Sequence, residues 1–453
     1  MWSAKLKKFE IPTLLATVAL TFLLFGNGIG GSFILDDGRA IFPSPQERSM
    51  GTIPMEFLRP YYLWQSTTGL YRPLTQISYV LNLAVSDKPT LFHVVNILIH
   101  SLNTWLLFIL VIRVFKSRRL AYISYGLFLF LPIHVEAVTY ISGRSDLLAL
   151  FFGLLILLAF YLKKYWLSGL AFLLAVLSKE VAIGIFPFII FWLFATEKYN
   201  FASWFKKIVP FMVSGVAYIV LRWAALGNNF LANDNGLIAN PLITVCQSTR
   251  ILTSLKLAAV YIWKIFFPLH LSADYAYAQT VPITSPLDLV MLVGLMLILA
   301  MICLIFRRKS CGGPLAFGAA FFVAVYFPIS NLIFPIGTIM ADRLVYAASA
   351  GLVIIVAFGI NYLLSKRYRP LIYILLAALL LIYGTTIVKR NRIWLNEEVL
   401  VTSMAKDSPK SINANYNLGL YYLVNSRRSE GIQLITESNE LIKKAEEELR
   451  CNK

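Results

Sequence analysis

The first apolar run of the chain decides the fold: residues 11–34, IPTLLATVALTFLLFGNGIGGSFI. As a helix it rises about 1.5 Å per residue, which is enough to cross a bilayer core of about 30 Å. Two adjacent carboxylates, Asp36 and Asp37, follow almost at once. Insertion into the membrane does not need acid there, so the pair is a candidate base acting on a membrane-borne substrate. Neighbouring carboxylates oppose each other's ionisation, so one of them is expected to have a raised pKa.

The composition predicts an all-α polytopic membrane protein. Of the 453 residues, 58% are hydrophobic and only 14% are charged, too few to cover the surface of a soluble domain. The net charge of +18 would suggest a nucleic-acid partner in a soluble protein. Here the basic residues fall in short clusters between apolar stretches, as the positive-inside rule requires. We therefore expect membrane lipid, and no nucleic acid, as a partner.

Eleven apolar stretches are predicted to cross the membrane: 11–34, 91–112, 120–138, 147–162, 166–178, 181–196, 208–225, 286–306, 314–333, 343–364 and 371–388. With eleven crossings all basic clusters lie on one side, the N-terminus is cytoplasmic and the C-terminus is outside. Residues 246–269 are also apolar but contain Lys256 and Lys264. Counting them as a crossing would put the cluster Arg307, Arg308 and Lys309 on the wrong side. We expect this segment outside, as a re-entrant or interfacial helix.

The chain divides into a transmembrane domain, 1–390, and an extracytoplasmic tail, 391–453. The predicted outer loops of the domain are 35–90, 134–146 and 226–285. In the tail, residues at the spacing of a tetratricopeptide helix pair are Asn415, Leu418, Gly419, Tyr422, Gly431 and Ile435. About one repeat fits, and a single repeat cannot bury its apolar face alone. We expect it to dock on the membrane domain or on a second copy, which makes a homo-oligomer possible.

Eight short motifs lie on the predicted outer side: Asp36-Asp37-Gly38-Arg39; Tyr71-Arg72-Pro73-Leu74 with Asn82; Phe92-His93-Val94-Val95-Asn96 with His100; Pro132-Ile133-His134-Val135-Glu136 running into Ser142-Gly143-Arg144-Ser145-Asp146; Ser178-Lys179-Glu180; Pro268 to Tyr275; Ala341-Asp342-Arg343-Leu344-Val345-Tyr346; and Trp394-Leu395-Asn396-Glu397. In this order, over residues 33–435, they resemble the transmembrane and tetratricopeptide-repeat protein O-mannosyltransferases. That family lies within the GT-C superfamily of membrane glycosyltransferases.

The resemblance implies a GT-C-type bundle of about eleven transmembrane helices with a short helical tail. It implies inverting transfer of a sugar, mannose by family analogy, from a polyprenyl-phosphate donor to a hydroxyl. The acceptor implied is Ser or Thr of an exported protein, or alternatively a glycolipid. No cofactor is expected, a divalent metal is left open, and the lipid-linked sugar is a substrate. The family typically carries a long repeat array, so the brief tail favours a prokaryotic plasma membrane over the endoplasmic reticulum.

The resemblance also implies which residues act. The catalytic acidic residue of the first outer loop maps onto Asp36 or Asp37. Departure of a lipid phosphate needs cations, preferably the fork of Arg or the point charge of Lys. The candidates for contact with the phosphate or the sugar are Arg72, His93, His134, Glu136, Arg144, Lys179, Glu180, Asp342 and Arg343.

Each candidate also has an ordinary structural interpretation. The aspartate pair could cap a helix, Arg72 could anchor an interfacial helix, and an acid near Arg144 could cap the helix that it opens. Buried histidines with satisfied hydrogen bonds are favoured for His93 and His100, and a polar-network role rather than a metal site for His134 and Glu136. Lys179–Glu180 and Asp342–Arg343 could be internal ion pairs, although charge inside a membrane is usually functional.

Two other functions remain open from the sequence. The same fold could transfer sugar to a lipid or a polysaccharide. A transporter for a lipid-linked sugar is less favoured, because transporters usually place their polar site near the bilayer midplane between repeated halves. Here the polar residues gather at one face.

Overall fold

The computed structural model describes residues 2–42, 49–62, 68–232, 236–307, 313–366, 368–425 and 427–448. Parts of the predicted loops 35–90 and 226–285 and of the tail lie outside these ranges, as do Arg308 and Lys309. All regular structure within them is helical, with no strand. The α-helices are α1 Trp2–Phe25, α2 Asp37–Ile41, α3 Ile53–Glu56, α4 Pro73–Leu83, α5 Pro89–Phe115, α6 Arg118–Leu129, α7 Val135–Thr139, α8 Arg144–Tyr161, α9 Tyr165–Ser178, α10 Ile185–Thr196, α11 Phe201–Leu226, α12 Gly236–Ala239, α13 Gln247–Phe266, α14 Leu289–Phe306, α15 Pro314–Tyr326, α16 Tyr346–Leu363, α17 Arg369–Asn391, α18 Glu397–Asp407, α19 Ile412–Val424 and α20 Arg428–Glu448.

Short 3-10 helices extend or join these helices at Gly26–Gly28, Met50–Thr52, Pro132–His134, Ile141–Gly143, Glu180–Gly184, Gly227–Asn229, Pro241–Ile243, Phe327–Ile329, Asp342–Val345 and Arg392–Trp394. Several of the predicted site motifs fall on them, at the ends of long apolar helices.

In the described chain, seven helices are long and apolar enough to cross a membrane: Glu10–Gly28, Pro89–Phe115, Ile141–Tyr161, Phe201–Asn229, Leu289–Phe306, Asp342–Leu363 and Arg369–Trp394. An eighth span is possible if Arg118–Leu129 and Pro132–Thr139, bent by 51° at their break, cross as one. Three further apolar helices are shorter: Tyr165–Ser178, Glu180–Thr196 and Pro314–Ile329. The chain is thus a multi-pass helical membrane protein with seven or eight candidate spans, not the full eleven expected.

Helix α13 covers the segment predicted to be re-entrant or interfacial, and it is not among the candidate spans. It packs on α14 through Gly294, where a Cβ atom would lie 1.9 Å from the carbonyl oxygen of Leu255. Asp288 strengthens the same contact. Its carboxylate caps α14 at Met291 N, 2.9 Å away, and accepts a hydrogen bond from Lys256 Nζ on α13, also at 2.9 Å.

The last two helices of the tail, α19 and α20, form an antiparallel pair, and the tail packs against the preceding part of the same chain. Gly419 and Gly431 let α19 and α20 approach closely, since a Cβ atom on Gly431 would lie 2.7 Å from Gly419 O. The tail is held by Asp274, whose carboxylate accepts hydrogen bonds from Ser411 and Asn413. Of the two docking partners expected for the tail, the structure therefore uses the membrane domain.

Glycine also sets the contact between α15 and α16, which generates a first prediction. A Cβ atom on Gly351 would lie 2.5 Å from Gly318 O and 2.7 Å from Phe322 N, whereas nothing lies within 4 Å of a Cβ atom on Gly359 of the same helix. We expect Gly351→Ala to lower the free energy of unfolding by about 1–3 kcal/mol, the usual cost of overpacking. Thermal unfolding in detergent measures this. Gly359→Ala is the matched control, and an equal effect of both variants would contradict the close packing.

Candidate functional site

The chain turns sharply just before the aspartate pair. Leu35 has φ 47°, in the left-handed region, which costs a non-glycine residue about 1–2 kcal/mol. Asp36 then occupies the N-cap position of α2, and Asp37 is the first residue of that helix. Backbone strain of this kind persists where the surrounding contacts fix the conformation. The contacts of Asp37 do so here.

Asp37 is fully buried and has the role of a structural clamp. One carboxylate oxygen accepts a hydrogen bond from Ile34 N at 3.2 Å. The other accepts from Ser142 N at 2.9 Å and from Ser142 Oγ at 2.6 Å. Burial raises the pKa of Asp37 to about 7, these hydrogen bonds lower it, and the neighbouring charge of Asp36 raises it slightly. The clamp joins the segment that follows α1 to the turn at Ile141–Gly143.

Asp36 has the opposite environment from its neighbour. Its side chain is partly exposed, and its carboxylate accepts no hydrogen bond from any residue that the structure describes. Its backbone N–H donates to Tyr140 Oη at 3.2 Å. Of the two candidate bases, Asp36 is therefore the one whose carboxylate has no hydrogen-bond partner within the described residues.

Arg343 provides a cation beside Tyr140, the residue that Asp36 contacts. Its backbone N–H donates to Glu136 Oε2 at 3.0 Å and its guanidinium donates to Glu136 Oε1. The guanidinium carbon is 5.8 Å from the ring centre of Tyr140, the same tyrosine that contacts Asp36. The Arg343 side chain is 29% exposed and the Glu136 side chain 1%. Glu136 thus orients a cation that still faces solvent.

Arg72 forms a two-pronged ion pair with Glu180. Nε lies 2.9 Å from Oε2 and Nη2 lies 2.5 Å from Oε1. Burial raises the pKa of nearby Tyr62, Asp36 raises it further, and Arg72 and Arg343 lower it. Asp36 and Arg343 both contact Tyr140. The guanidinium carbon of Arg72 lies 5.3 Å from the ring centre of Tyr61, which packs against Tyr62.

Lys179 binds Asp146 instead of its sequence neighbour Glu180. Lys179 Nζ lies 2.7 Å and 2.6 Å from the two carboxylate oxygens, and both side chains are buried. The alternative expectation of an internal Lys179–Glu180 pair is therefore wrong. Lys179 has extended backbone dihedrals, φ −158° and ψ 131°, so the adjacent side chains diverge.

Arg144 is completely buried and its guanidinium is occupied by neutral acceptors. Nε donates to Asn96 Oδ1 at 2.8 Å, Nη1 to Asn82 Oδ1 at 2.5 Å, and Nη2 to Phe92 O at 3.0 Å. Nη1 is also near the carbonyl and hydroxyl oxygens of Ser78. Arg144 joins α4, α5 and α8. These contacts leave little of its hydrogen-bonding capacity for a phosphate.

Neither candidate histidine is hydrogen-bonded to one of the candidate carboxylates within the described residues. His134 Nε2 is 2.9 Å from Ser349 Oγ and its ring packs against Phe128 and Tyr346. Glu136, by contrast, binds Arg343, so the two residues share no partner. His93 is buried beside Gly31, and neither ring nitrogen has a hydrogen-bond partner in the described chain. Within the described ranges, no group of three or more His, Cys, Asp and Glu residues could hold a metal ion.

Asp342 faces a different set of residues from Arg343, so the expected alternative of a pair between these neighbours is also wrong. Tyr275 Oη donates to Asp342 Oδ1 at 2.9 Å, and Arg390 Nη2 lies 3.7 Å from Asp342 Oδ2. Arg343 binds Glu136. Asp342 and Arg343 are adjacent in the chain but belong to two polar clusters, one with Tyr275 and Arg390 and the other with Glu136.

Comparison with known proteins finds several that are similar to this chain. Protein O-mannosyl-transferase TMTC1 of Homo sapiens is 26% identical over 466 residues, covering 90% of this chain and 53% of that protein. TMTC4 of Mus musculus is 27% identical, covering 88% and 62%, and F38B6.6 of Caenorhabditis elegans is 24% identical, covering 90% and 60%. The chain is a distant homologue of the protein O-mannosyl-transferases. It spans about half to three fifths of the length of these relatives.

No family model matches the chain, and no solved structure matches it. The likeness to the O-mannosyl-transferases therefore rests on the curated sequences.

Two residues of the candidate site in this chain were not predicted from the sequence. Tyr140 lies between Asp36 and Arg343, but a tyrosine beside an apolar stretch carries no signal of its own. Arg390 contacts Asp342, but a basic residue at the end of an apolar helix is typical of a membrane anchor. Only the packing of α17 shows its partner.

The buried ion pair generates a second prediction. Asp146→Asn leaves the Lys179 ammonium buried without a counter-charge, which costs about 3–5 kcal/mol when a buried pair is broken. We expect a large drop in thermal unfolding temperature, and recovery in the double variant Asp146→Asn, Lys179→Met. Glu430→Gln, in the exposed pair with Arg427, is the control and should leave the temperature unchanged. A small, equal effect of both single variants would contradict the buried pair.

The raised pKa of Asp37 gives a third prediction. Because its pKa is about 7 in the folded chain instead of the usual 3.8, the folded state binds this proton more tightly than the unfolded state. Its contribution to stability therefore falls as pH rises from about 4 to about 7. In Asp37→Asn this dependence is absent, so the unfolding temperature of the variant relative to wild type should rise across that window. Thermal unfolding against pH measures it, with exposed Asp87→Asn as the control. A difference constant with pH would contradict it.

Proposed function

We propose that the chain is an inverting membrane glycosyltransferase of GT-C type. It transfers a mannosyl group from a polyprenyl phosphate to a Ser or Thr hydroxyl of an exported protein. The names of the relatives support the sugar, the O-linkage and the protein acceptor. The observation that carries the site assignment is Asp36, a partly exposed carboxylate without a hydrogen bond from the described residues, which shares the neighbour Tyr140 with the cation Arg343.

The proposal includes an arrangement in the membrane. Seven long helices, the bent pair and three shorter apolar helices correspond in order to the eleven predicted crossings. We place the N-terminus in the cytoplasm and the C-terminus outside, in the plasma membrane. The α19–α20 pair is then an extracytoplasmic tetratricopeptide-like unit. This arrangement puts Asp36 and its neighbouring cations on the outer face, where an exported acceptor is available.

The chemistry needs one base and a stabilised leaving group. The acceptor hydroxyl oxygen attacks the anomeric carbon while Asp36 takes the hydroxyl proton. The new carbon–oxygen bond forms as the bond between the anomeric carbon and the phosphate oxygen breaks, and its electron pair leaves with the lipid phosphate. Direct displacement inverts the configuration at that carbon. No redox partner is required.

Arg343 is the best-placed cation for the departing phosphate. It is partly exposed and already oriented by Glu136, so little reorganisation accompanies the reaction. Arg72, held by Glu180, is a second contact to the donor. Lys179 and Arg144 act instead within the scaffold, because their partners in the structure occupy them.

The fourth prediction tests the base. Asp36→Asn keeps the size of the side chain but cannot accept the proton, so kcat should fall about 10²–10⁴-fold. Transfer from mannosyl polyprenyl phosphate to a Ser/Thr peptide measures this, with purified full-length protein. Donor binding should be unchanged.

Asp87→Asn is the control for this test, because Asp87 is exposed and lies in the same predicted outer loop. It should retain wild-type transfer. Full activity of Asp36→Asn would remove the base assignment. Absence of transfer by the wild type to any hydroxyl acceptor, with a panel of polyprenyl-phosphate sugars, would contradict the proposed function as a whole.

A further inference from the structure

An apolar groove lies between α13 and α14, on the side of the bundle next to Asp342. The cavity has a volume of about 570 Å³. Its walls are aliphatic and aromatic side chains, including Trp263 and Phe267 on one side and Val293 on the other, and its two basic side chains are Lys264 and His270. The groove was not predicted from the sequence, because it arises from the packing of an amphipathic helix on an apolar one.

Two aromatic side chains form an open part of the groove wall. The rings of Trp263 and Phe267 stack with centroids 4.3 Å apart and an angle of 23° between their planes. Both side chains are more than half exposed. Such a surface fits a long flexible hydrocarbon chain better than a compact polar ligand.

Lys264 gives the groove a positive polar end. Its ammonium donates to the carbonyl of His270 and lies 4.7 Å from the ring centre of Tyr275. The hydroxyl of that tyrosine donates to Asp342 Oδ1 at 2.9 Å, and Arg390 Nη2 lies 3.7 Å from Asp342 Oδ2. Two cations thus surround one carboxylate, which leaves an excess positive charge among these three residues. An anionic headgroup complements that charge.

The polar end of the groove leads towards the proposed reaction site. Asp342 is linked to Lys264 through Tyr275, and it directly precedes Arg343 in the chain. Glu136 in turn holds Arg343 beside Tyr140, which contacts Asp36. The adjacent residues Asp342 and Arg343 therefore connect the polar end of the groove to the cation of the reaction site.

We propose that this groove holds the isoprenoid chain of the lipid donor, with Lys264 contacting the phosphate and directing the sugar towards Arg343 and Asp36. This inference rests on the proposed function for the identity of the lipid. An ordinary anionic phospholipid shares the apolar chain and the phosphate, and the test below distinguishes the two.

The fifth prediction concerns binding. A photoreactive polyprenyl phosphate, added to the full chain in detergent, should cross-link to α13 or α14. Val293→Trp fills the groove and should reduce cross-linking at least tenfold, and Lys264→Gln should weaken binding severalfold. Met296→Trp is the matched control, because Met296 lies on the same helix, is 60% exposed and does not line the groove. It should bind like wild type.

Three outcomes would overturn the inference: cross-links mapped elsewhere, equal losses in Val293→Trp and Met296→Trp, or complete displacement of the probe by equimolar phosphatidylglycerol, which indicates a general phospholipid site. Failure here is distinguishable from failure of the proposed function. If mannosyl transfer persists while the groove does not bind the probe, only the groove assignment is wrong. If the probe binds as expected but no sugar is transferred, the groove assignment stands and the proposed reaction is wrong.

Discussion

The cost of burying charge governs this structure more than any other constraint. A charged side chain loses much of its hydration energy inside a bundle, and it is retained only when a partner compensates. Three carboxylates near the site meet this requirement with ion pairs: Asp146–Lys179, Glu136–Arg343 and Glu180–Arg72. Asp37 meets it with hydrogen bonds from Ser142 and Ile34. Asp36 avoids the cost by staying partly exposed, and this difference makes its carboxylate chemically available.

The same pairs build the site from distant parts of the chain. Arg72 and Glu180 are 108 residues apart, and Glu136 and Arg343 are 207 residues apart. Each contact therefore fixes one helix end against another, and the site is formed by helix termini and short 3-10 turns instead of by flexible loops. Groups held in this way need little reorganisation when charge develops on a substrate, which is the arrangement expected for electrostatic stabilisation.

The sequence predicted the composition of the site better than its connections. The apolar run before Asp36, the basic clusters and the order of the motifs indicated a multi-pass helical protein and the residues to consider. Sequence adjacency, however, gave the wrong partners for Lys179 and Arg343, because backbone conformation sends neighbouring side chains in different directions. The span count shows a similar limit. Helices as short as Tyr165–Ser178 are apolar but do not reach the length that identifies a crossing by itself.

Asp36 and Asp37 show how one residue type can serve two purposes at adjacent positions. The environment, and not the side chain, decides the role of a carboxylate. Asp37 uses its oxygens on the turn that includes Ser142, so it fixes the left-handed turn at Leu35 and the start of α2. Because this turn is fixed, the backbone of Asp36 keeps its position against Tyr140. In the proposed reaction Asp37 thus acts through Asp36, because it fixes the position from which the proposed base takes the proton.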